Sequence, residues 1–354
     1  MTRMCSNLCL VAIALMATPA DSLRADTIEQ ISTVRTPVVA YCVRFLPDTS
    51  KVAVVDNERV RICDSESGRQ VTELSAPNIL LTELCINDNG ERLVTATYEG
   101  SQKLDVSLWN ANNGKLISTL RFKKSYSPKT VASISDQKYV VLSSSIEKKD
   151  GYSEYHGEAA LIDLGAKKVI GIFQTESPPS SMAVSADKKK VVIGEHDGNV
   201  SVFDASSMVR ERKFNTGARE SVKRVYLSND GNTLVTQTSY KELSLWNMAD
   251  VSKRGSLRIN KEAITAAAIS ADGKRMAACA SDFAAAERRP DGSILVIVKE
   301  AELIVWDLET QKEIASIRAH DGAVQCMDFS RDGKMLVTSG DDKQTKVWRI
   351  KESK

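Results

Sequence analysis

Residues Phe329–Trp348 read FSRDGKMLVTSGDDKQTKVW. The segment opens on a polar turn, Ser330-Arg331-Asp332-Gly333, and runs into the apolar stretch Met335-Leu336-Val337. It turns again at Gly340-Asp341-Asp342 and ends in an alternating stretch closed by Trp348. Asp-Gly accepts a positive φ in a tight hairpin turn, and short Val/Leu/Thr runs between such turns read as antiparallel strands.

The phrase recurs along the chain. LSNDGNTLVTQTSYKELSLWN (227–247) and VSADKKKVVIGEHDGNVSVFD (184–204) repeat it closely. A turn aspartate occurs seven times, at Asp48, Asp88, Asp136, Asp187, Asp230, Asp272 and Asp332. An apolar pair follows each, beginning at Val52, Leu93, Tyr139, Val191, Leu234, Met276 and Leu336. A strand-ending column also has seven members: Cys63, Trp109, Ile162, Phe203, Trp246, Trp306 and Trp348. Its successive spacings are 46, 53, 41, 43, 60 and 42 residues. The next residue is Asp or Asn in six copies, as in Trp306-Asp307, and Arg349 in the last. Such a residue closes the following turn by accepting backbone N–H groups.

Each copy is therefore a small antiparallel sheet that cannot bury both faces alone. Arranged radially, each sheet packs on its neighbours, and the column of large residues fills the gap between them. Trp306-Asp307, Phe203-Asp204 and Trp348, with the Ser-x-Asp-Gly turns, resemble the WD40 β-propeller family over roughly residues 26–354. That resemblance implies an all-β, seven-bladed propeller of four-stranded antiparallel blades. It also implies a structural hydrogen-bond tetrad in the last blade, drawn from His320, Thr338 or Ser339, Asp341 or Asp342, and Trp348. No other repeat keeps the histidine, and Ile162 replaces the aromatic in the third. The chain ends soon after Trp348, so the last blade lacks its outermost strand. Thr27–Thr33 is a spare strand at the other end, and pairing the two would close the ring without leaving open edges.

The first twenty residues read differently. Arg3 precedes an unbroken apolar run, Leu8–Ala17, of ten residues. A membrane span needs roughly 20, so the run is expected to be a secretory signal rather than an anchor. Thr18 and Ala20 are the small residues at −3 and −1 of a cut before Asp21, with a second possible cut after Ala25. The expected products are a signal peptide (1–20) and a mature propeller (26–354), periplasmic in a two-membrane bacterium and extracellular otherwise. Five cysteines remain after that cut: Cys42, Cys63, Cys85, Cys279 and Cys326. The number is odd and the spacings are wide, so they read as small buried hydrophobes, not as a disulfide framework or a zinc site.

The whole chain has 354 residues, 48 Lys+Arg against 46 Asp+Glu, and three histidines. That near-balance argues against nucleic acid as a partner, and so few histidines argue against a His-rich metal centre. His196 and Lys188–Lys190 read as turn residues and a solvated charge run. No Walker loop, GxSxG, HExxH or strand–helix GxGxxG is present, and no cofactor is expected.

Four repeats run 15 or 16 residues from turn aspartate to column, whereas repeats two, three and six run 21, 26 and 34. All three insertions fall between second and third strands, on one face of a propeller. Insertions gathered on one face mark a binding side. The contact residues expected there are Tyr98, Tyr152, Tyr155, His156, Arg288 and Arg289, since Tyr and Arg anchor interfaces. The plain alternative is a set of solvated loops; the sixth insertion can also lengthen its hairpin. The reading is a monomeric, non-enzymatic scaffold for a protein or peptide. The alternative is a propeller enzyme, a metal-dependent hydrolase, lactonase or quinoprotein, with its site at the central channel. The innermost strands, VVAYCVRF, AITAAAIS and AVQCMDFS, are largely apolar with Arg44 and Asp328 as isolated polar members, which favours the scaffold.

Overall fold

The Ser-x-Asp turns build themselves from their own side chains. Ser330 Oγ donates to Asp332 Oδ1 at 2.6 Å and accepts the N–H of Met335 at 2.8 Å, while Asp332 accepts the N–H of Lys334 at 3.0 Å. The same pattern recurs at Ser185/Asp187, Ser228/Asp230 and Ser270/Asp272. Gly231, Gly273 and Gly333 take the positive φ (67–71°) that the Asp-Gly pairs predict. At the next turn, Asp64, Asn110, Asp163, Asp204, Asn247 and Asp307 each accept backbone N–H groups two or three residues on.

The computed structural model describes residues 27–56, 59–75, 80–99, 103–122, 127–149, 152–288 and 294–351. The expected signal peptide lies outside them. The described residues form twenty-eight strands in seven antiparallel sheets of four. Strand β1 (Thr27–Arg35) comes first. Blade 1 is β2 (Cys42–Phe45), β3 (Lys51–Val55), β4 (Arg59–Asp64) and β5 (Gln70–Ser75). Blade 2 is β6 (Leu80–Ile86), β7 (Arg92–Glu99), β8 (Lys103–Asn110) and β9 (Leu116–Arg121). Blade 3 is β10 (Ser127–Ser133), β11 (Lys138–Lys149), β12 (Tyr152–Asp163) and β13 (Lys168–Ile172). Blade 4 is β14 (Pro179–Val184), β15 (Lys190–Glu195), β16 (Asn199–Asp204) and β17 (Arg210–Asn215). Blade 5 is β18 (Arg224–Leu227), β19 (Thr233–Gln237), β20 (Glu242–Asn247) and β21 (Ser252–Arg258). Blade 6 is β22 (Ala263–Ile269), β23 (Arg275–Arg288), β24 (Ile294–Asp307) and β25 (Glu313–His320). Blade 7 is β26 (Val324–Phe329), β27 (Met335–Gly340) and β28 (Gln344–Lys351), completed by β1.

The ring closes as the two chain ends predict. β1 lies antiparallel to β28 from Thr27↔Lys351 to Arg35↔Gln344. Val34 is buried beside Val347, and Ser32 Oγ donates to the carbonyl of Ser65 in blade 1.

Seven apolar clusters fill the spaces between successive blades, and the strand-ending column sits in them. Trp348 packs between blades 6 and 7, Trp306 between 5 and 6, Trp246 between 4 and 5, and Phe203 between 3 and 4. Ile162 lies between blades 2 and 3, Trp109 borders the cluster between 1 and 2, and Cys63 lies between 7 and 1. Every column residue thus faces the preceding blade. In blade 3 the missing aromatic volume is restored from the neighbouring strand, because Tyr139, fully buried, stands opposite Ile162.

Candidate interaction face and channel

The three insertions are not loops. β7 and β8 remain paired out to Glu99↔Lys103, β11 and β12 to Lys149↔Tyr152, and β23 and β24 to Arg288↔Ile294. Backbone pairing thus continues through the extra residues, where an open loop would leave backbone groups unmade. The strands of blades 3 and 6 are 12 and 14 residues long, against 6 for β15 and β16. At about 3.3 Å per residue they rise roughly 20–25 Å beyond an ordinary blade. Around the ring, blade 6 stands three positions from blade 2 and three from blade 3. The arms therefore form two walls, one on blades 2 and 3 and one on blade 6, on the face that also holds the inter-blade connections.

The expected contact residues distribute along these arms. Tyr98 lies near the end of β7, opposite Leu104. Tyr152 begins β12 at the tip of the blade 3 arm, and Tyr155 pairs with Ile146 lower down. Arg288 ends β23, and Arg289 lies outside the described residues. His156 departs from expectation: it is half-buried, with Nε2 at 3.8 Å from Glu154 Oε1, and not at an exposed tip.

The same face exposes apolar groups that the sequence reading passed over. Val38 (40% exposed) and Tyr41 (46%) lie in the connection from blade 7 to blade 1, Tyr240 (60%) in the hairpin turn of blade 5, and Phe283 (49%) at the base of the blade 6 arm. Local contacts fix their positions. Lys223 Nζ lies 4.6 Å from the centre of the Tyr240 ring, whose backbone carbonyl accepts the N–H of Ile264. Glu262 Oε2 accepts the N–H of Phe283 at 2.7 Å, and Lys261 pairs with Asp282 at 3.0 Å. A tyrosine inside the polar turn Gln237–Lys241 is the signal that had been available for Tyr240.

In the last blade, Trp348 Nε1 donates to Thr338 Oγ1 at 2.8 Å, Thr338 Oγ1 meets His320 Nε2 at 2.7 Å, and His320 Nδ1 meets Asp342 at 2.9 Å. Of the alternatives offered by the resemblance, Thr338 and Asp342 complete the network. Ser339 instead donates to the carbonyl of Ala40, and Asp341 accepts from Gln325. Burial holds the His320 pKa below its ordinary value, partly opposed by Asp342. A neutral ring donating from Nδ1 and accepting the Thr338 hydroxyl at Nε2 accounts for every atom. In blades 2 and 5 the threonine and tryptophan alone are kept, Trp109 donating to Thr95 and Trp246 to Thr236, both at 2.9 Å. Where the column is Cys63, Ile162 or Phe203, the matching position is Val54, Val141 or Ile193. In blade 4, buried Glu195 accepts from Ser201 Oγ at 2.5 Å and from the N–H of Ser177 at 3.2 Å.

The channel is less apolar than its strands imply. Arg44 and Asp328 are not isolated: the guanidinium of Arg44 interacts with Cys326, Asp328 and Glu83. Asp328 accepts the N–H of Phe45 at 2.9 Å. Burial pushes the Glu83 carboxyl up to about 8 and the Asp328 carboxyl up to about 6, in both cases partly offset by Arg44. At the channel mouth opposite the arms, Lys188 reaches Asp88 of blade 2 at 3.1 Å, and Lys190 pairs with Glu211. Lys189 lies 4.0 Å from Asp187, so each of the three lysines read as a solvated run stands beside a carboxylate. A cavity of ≈ 340 Å³ at that mouth is lined by residues of several blades, among them Asn87, Lys188, Asn229 and Arg331.

Residues 311–349 match the model of the family described as WD domain, G-beta repeat. The last blade carries a WD40 repeat. A segment of the chain is also similar to two curated relatives. It is 26% identical to Transcription factor unc-37 of Caenorhabditis elegans over 133 residues, which is 38% of this chain and 19% of that protein. It is 28% identical to Protein groucho of Drosophila melanogaster over 135 residues, 38% of this chain and 16% of that protein. The matched segment thus spans less than a fifth of either relative's length. Among solved structures, the β-propeller domain of Cps50 (Swd1) from Myceliophteria thermophila superposes with a TM-score of 0.71, covering 91% of this chain and 99% of that one. At 15% identity that likeness establishes the fold.

Proposed function

We propose that this chain is a WD40-repeat scaffold that binds a protein or peptide partner across the face bearing the paired arms, and that it does so outside the cytoplasm. The observation carrying the reading is the coincidence on one face of two opposed β-walls with exposed Val38, Tyr41, Tyr240 and Phe283. Anchored aromatic groups beside rigid walls suit a protein surface or an extended segment laid against an arm edge. The propeller-enzyme alternative asks for ligand-bearing side chains around the channel. Among the described residues, no three His, Cys, Asp or Glu side chains gather as a metal site requires.

Removing residues 284–297 shortens the blade 6 arm while keeping the rungs from Arg275↔Asp307 to Ser281↔Ala301. Affinity capture with this variant, with Y240A/F283A, and with a control altered on the outer strands (V71S/I117S) tests the face. Loss of the same partners in the first two, and their retention in the control, is the expected result. Unchanged partners in all three overturn it. The export part of the proposal rests on the Leu8–Ala17 run and Ala20. A secreted or periplasmic product beginning at Asp21 or Asp26 by intact mass supports it, and a cytoplasmic product retaining residues 1–20 overturns it.

A further inference from the structure

The wide spacing of the five cysteines hides a juxtaposition that the ring closure creates. Cys42 lies on β2, the innermost strand of blade 1, and Cys326 on β26, the innermost strand of blade 7. The two are 284 positions apart in sequence but adjacent across the seam, where Cys326 packs against the apolar cluster that contains Cys42, and the two thiols interact electrostatically. Cys326 Sγ also receives Arg44 Nη1 at 3.3 Å and the N–H of Val43 at 3.4 Å. Two donors, one of them charged, thus converge on a sulfur that also lies 3.8 Å from the carbonyl of Val43, an arrangement that accommodates a thiolate better than a wholly apolar pocket does. Cys326 keeps partial exposure, whereas Cys42 is 2% exposed. Burial raises the thiols of Cys63, Cys85 and Cys279, Cys63 and Cys85 to about 11. The interaction with Cys42 and the charge of Arg44 hold Cys326 well below the usual thiol range. The other charged groups interacting with this site are the carboxylates of Asp328 and Glu83; burial raises Asp328 to about 6 and Glu83 to about 8, so at neutral pH Asp328 is mostly ionised and Glu83 mostly protonated.

We propose that Cys326 and Cys42 are a redox couple, in which Cys326 attacks an oxidised small-molecule disulfide and Cys42 resolves the product into a disulfide across the blade 1–blade 7 seam. The Cys326 thiolate displaces one sulfur of the small disulfide RSSR, forming Cys326–S–SR and releasing RS⁻. Cys42 then passes its proton to a released thiolate and attacks Cys326 Sγ, breaking the mixed bond and releasing the second RS⁻. The protein loses two electrons and the Cys42 proton, RSSR becomes one RSH and one RS⁻, and that second thiolate takes from water the proton Cys326 had released on ionising. The product adds a covalent tie between first and last blades to the hydrogen-bonded closure of β1 on β28. The exchange needs only a disulfide to react with, so the inference stands apart from the choice of binding partner.

The test uses the folded, reduced full chain. Timed iodoacetamide labelling, followed by unfolding and a second label, is expected to modify Cys326 at least about tenfold faster than Cys63 or Cys279. Incubation with oxidised glutathione, then non-reducing digestion and mass spectrometry, is expected to yield the Cys42–Cys326 linked peptide. C42S is expected to stop at the Cys326–glutathione adduct. Labelling of Cys326 at the rate of Cys63, or a wild-type reaction that never goes beyond the adduct, overturns the proposal. Should C42S lose its β-sheet circular dichroism, the two wild-type measurements decide alone.

Discussion

Thr338 holds Trp348 by a single hydrogen bond of 2.8 Å from the indole N–H to the hydroxyl oxygen, and both side chains are buried. The same hydroxyl lies 2.7 Å from His320 Nε2. One oxygen therefore satisfies two buried nitrogens belonging to two different strands, β28 and β25. Threonine fits because its methyl group packs while its hydroxyl both donates and accepts.

Replacing Thr338 by Val keeps the shape and removes both partners. Each buried nitrogen left without a partner costs about 1–3 kcal/mol, so T338V is expected to lower stability by about 2–4 kcal/mol. T236V leaves only Trp246 without its acceptor and is expected to cost about half as much. T95V is expected to cost less again, because Trp109 is only partly buried. Urea unfolding of the three variants checks the order. Equal losses in all three mean that the histidine adds nothing to the network.

Gly340 stands against the same network from the backbone side. A Cβ there meets His320 Nδ1 at 2.6 Å and Asp342 Oδ1 at 2.9 Å. Its φ is not in the left-handed region, so the constraint is space alone. G340A is expected to displace the ring and cost about 1–3 kcal/mol, the range for overpacking a filled interior. An Nδ1–H resonance that keeps its wild-type shift in G340A contradicts this account.

The repeat columns made the fold legible because each column residue has one physical job, filling a gap between blades, and the spacing of such gaps survives even where Ile162 or Cys63 replaces the aromatic. The ring closure was legible for a related reason: a blade short of one strand and a spare strand at the other terminus are both visible as patterns. The arms of blades 2 and 3 read from sequence as loops, and only the sixth insertion also as a lengthened hairpin, because charged and small residues, as in Ile146–Gly157, carry no strong strand signal and pairing with a partner strand decides their state. The Thr95, Thr236 and Thr338 acceptors were available in the sequence as a threonine two residues into three of the four apolar runs that face a tryptophan; the run facing Trp306 has Ala278 there. The Cys42–Cys326–Arg44 contact was not available, since it joins residues from opposite ends of the chain that only the closed ring makes neighbours.

Strand β1 supplies the outer edge of blade 7 along eight paired positions. Without it, β28 presents a row of unpaired backbone groups, and Val347 loses its cover by Val34. A chain lacking residues 27–35 is expected to lose its single cooperative unfolding transition and to form dimers or larger species by size-exclusion with light scattering. Added peptide TIEQISTVR is expected to restore the monomer. A monomer with unaltered melting in the absence of the peptide contradicts the role given to this strand.

Glu83 in the channel ties stability to pH with a definite sign. Burial raises its carboxyl to about 8 from the ordinary 4.5, so the folded chain binds its proton more tightly than the unfolded chain. Its contribution is fully present below about 4.5 and is lost as pH climbs through about 8. Asp328 acts in the same direction but is largely spent by about pH 6. His320 acts oppositely: its lowered pKa favours the fold as pH rises towards the ordinary histidine value. The window between pH 6.5 and 8.5 therefore isolates Glu83 among these three groups. Across it, E83Q, which carries no titrating proton, is expected to gain about 1 kcal/mol on the wild type, the full linkage of 1.36 kcal/mol per pH unit being reduced by the opening of Glu83 to the channel. Thermal melts of both proteins at matched ionic strength read this as a widening gap in midpoint with rising pH. Parallel profiles would show that Glu83 is already ionised in the folded ring and that Arg44, not burial, sets its charge.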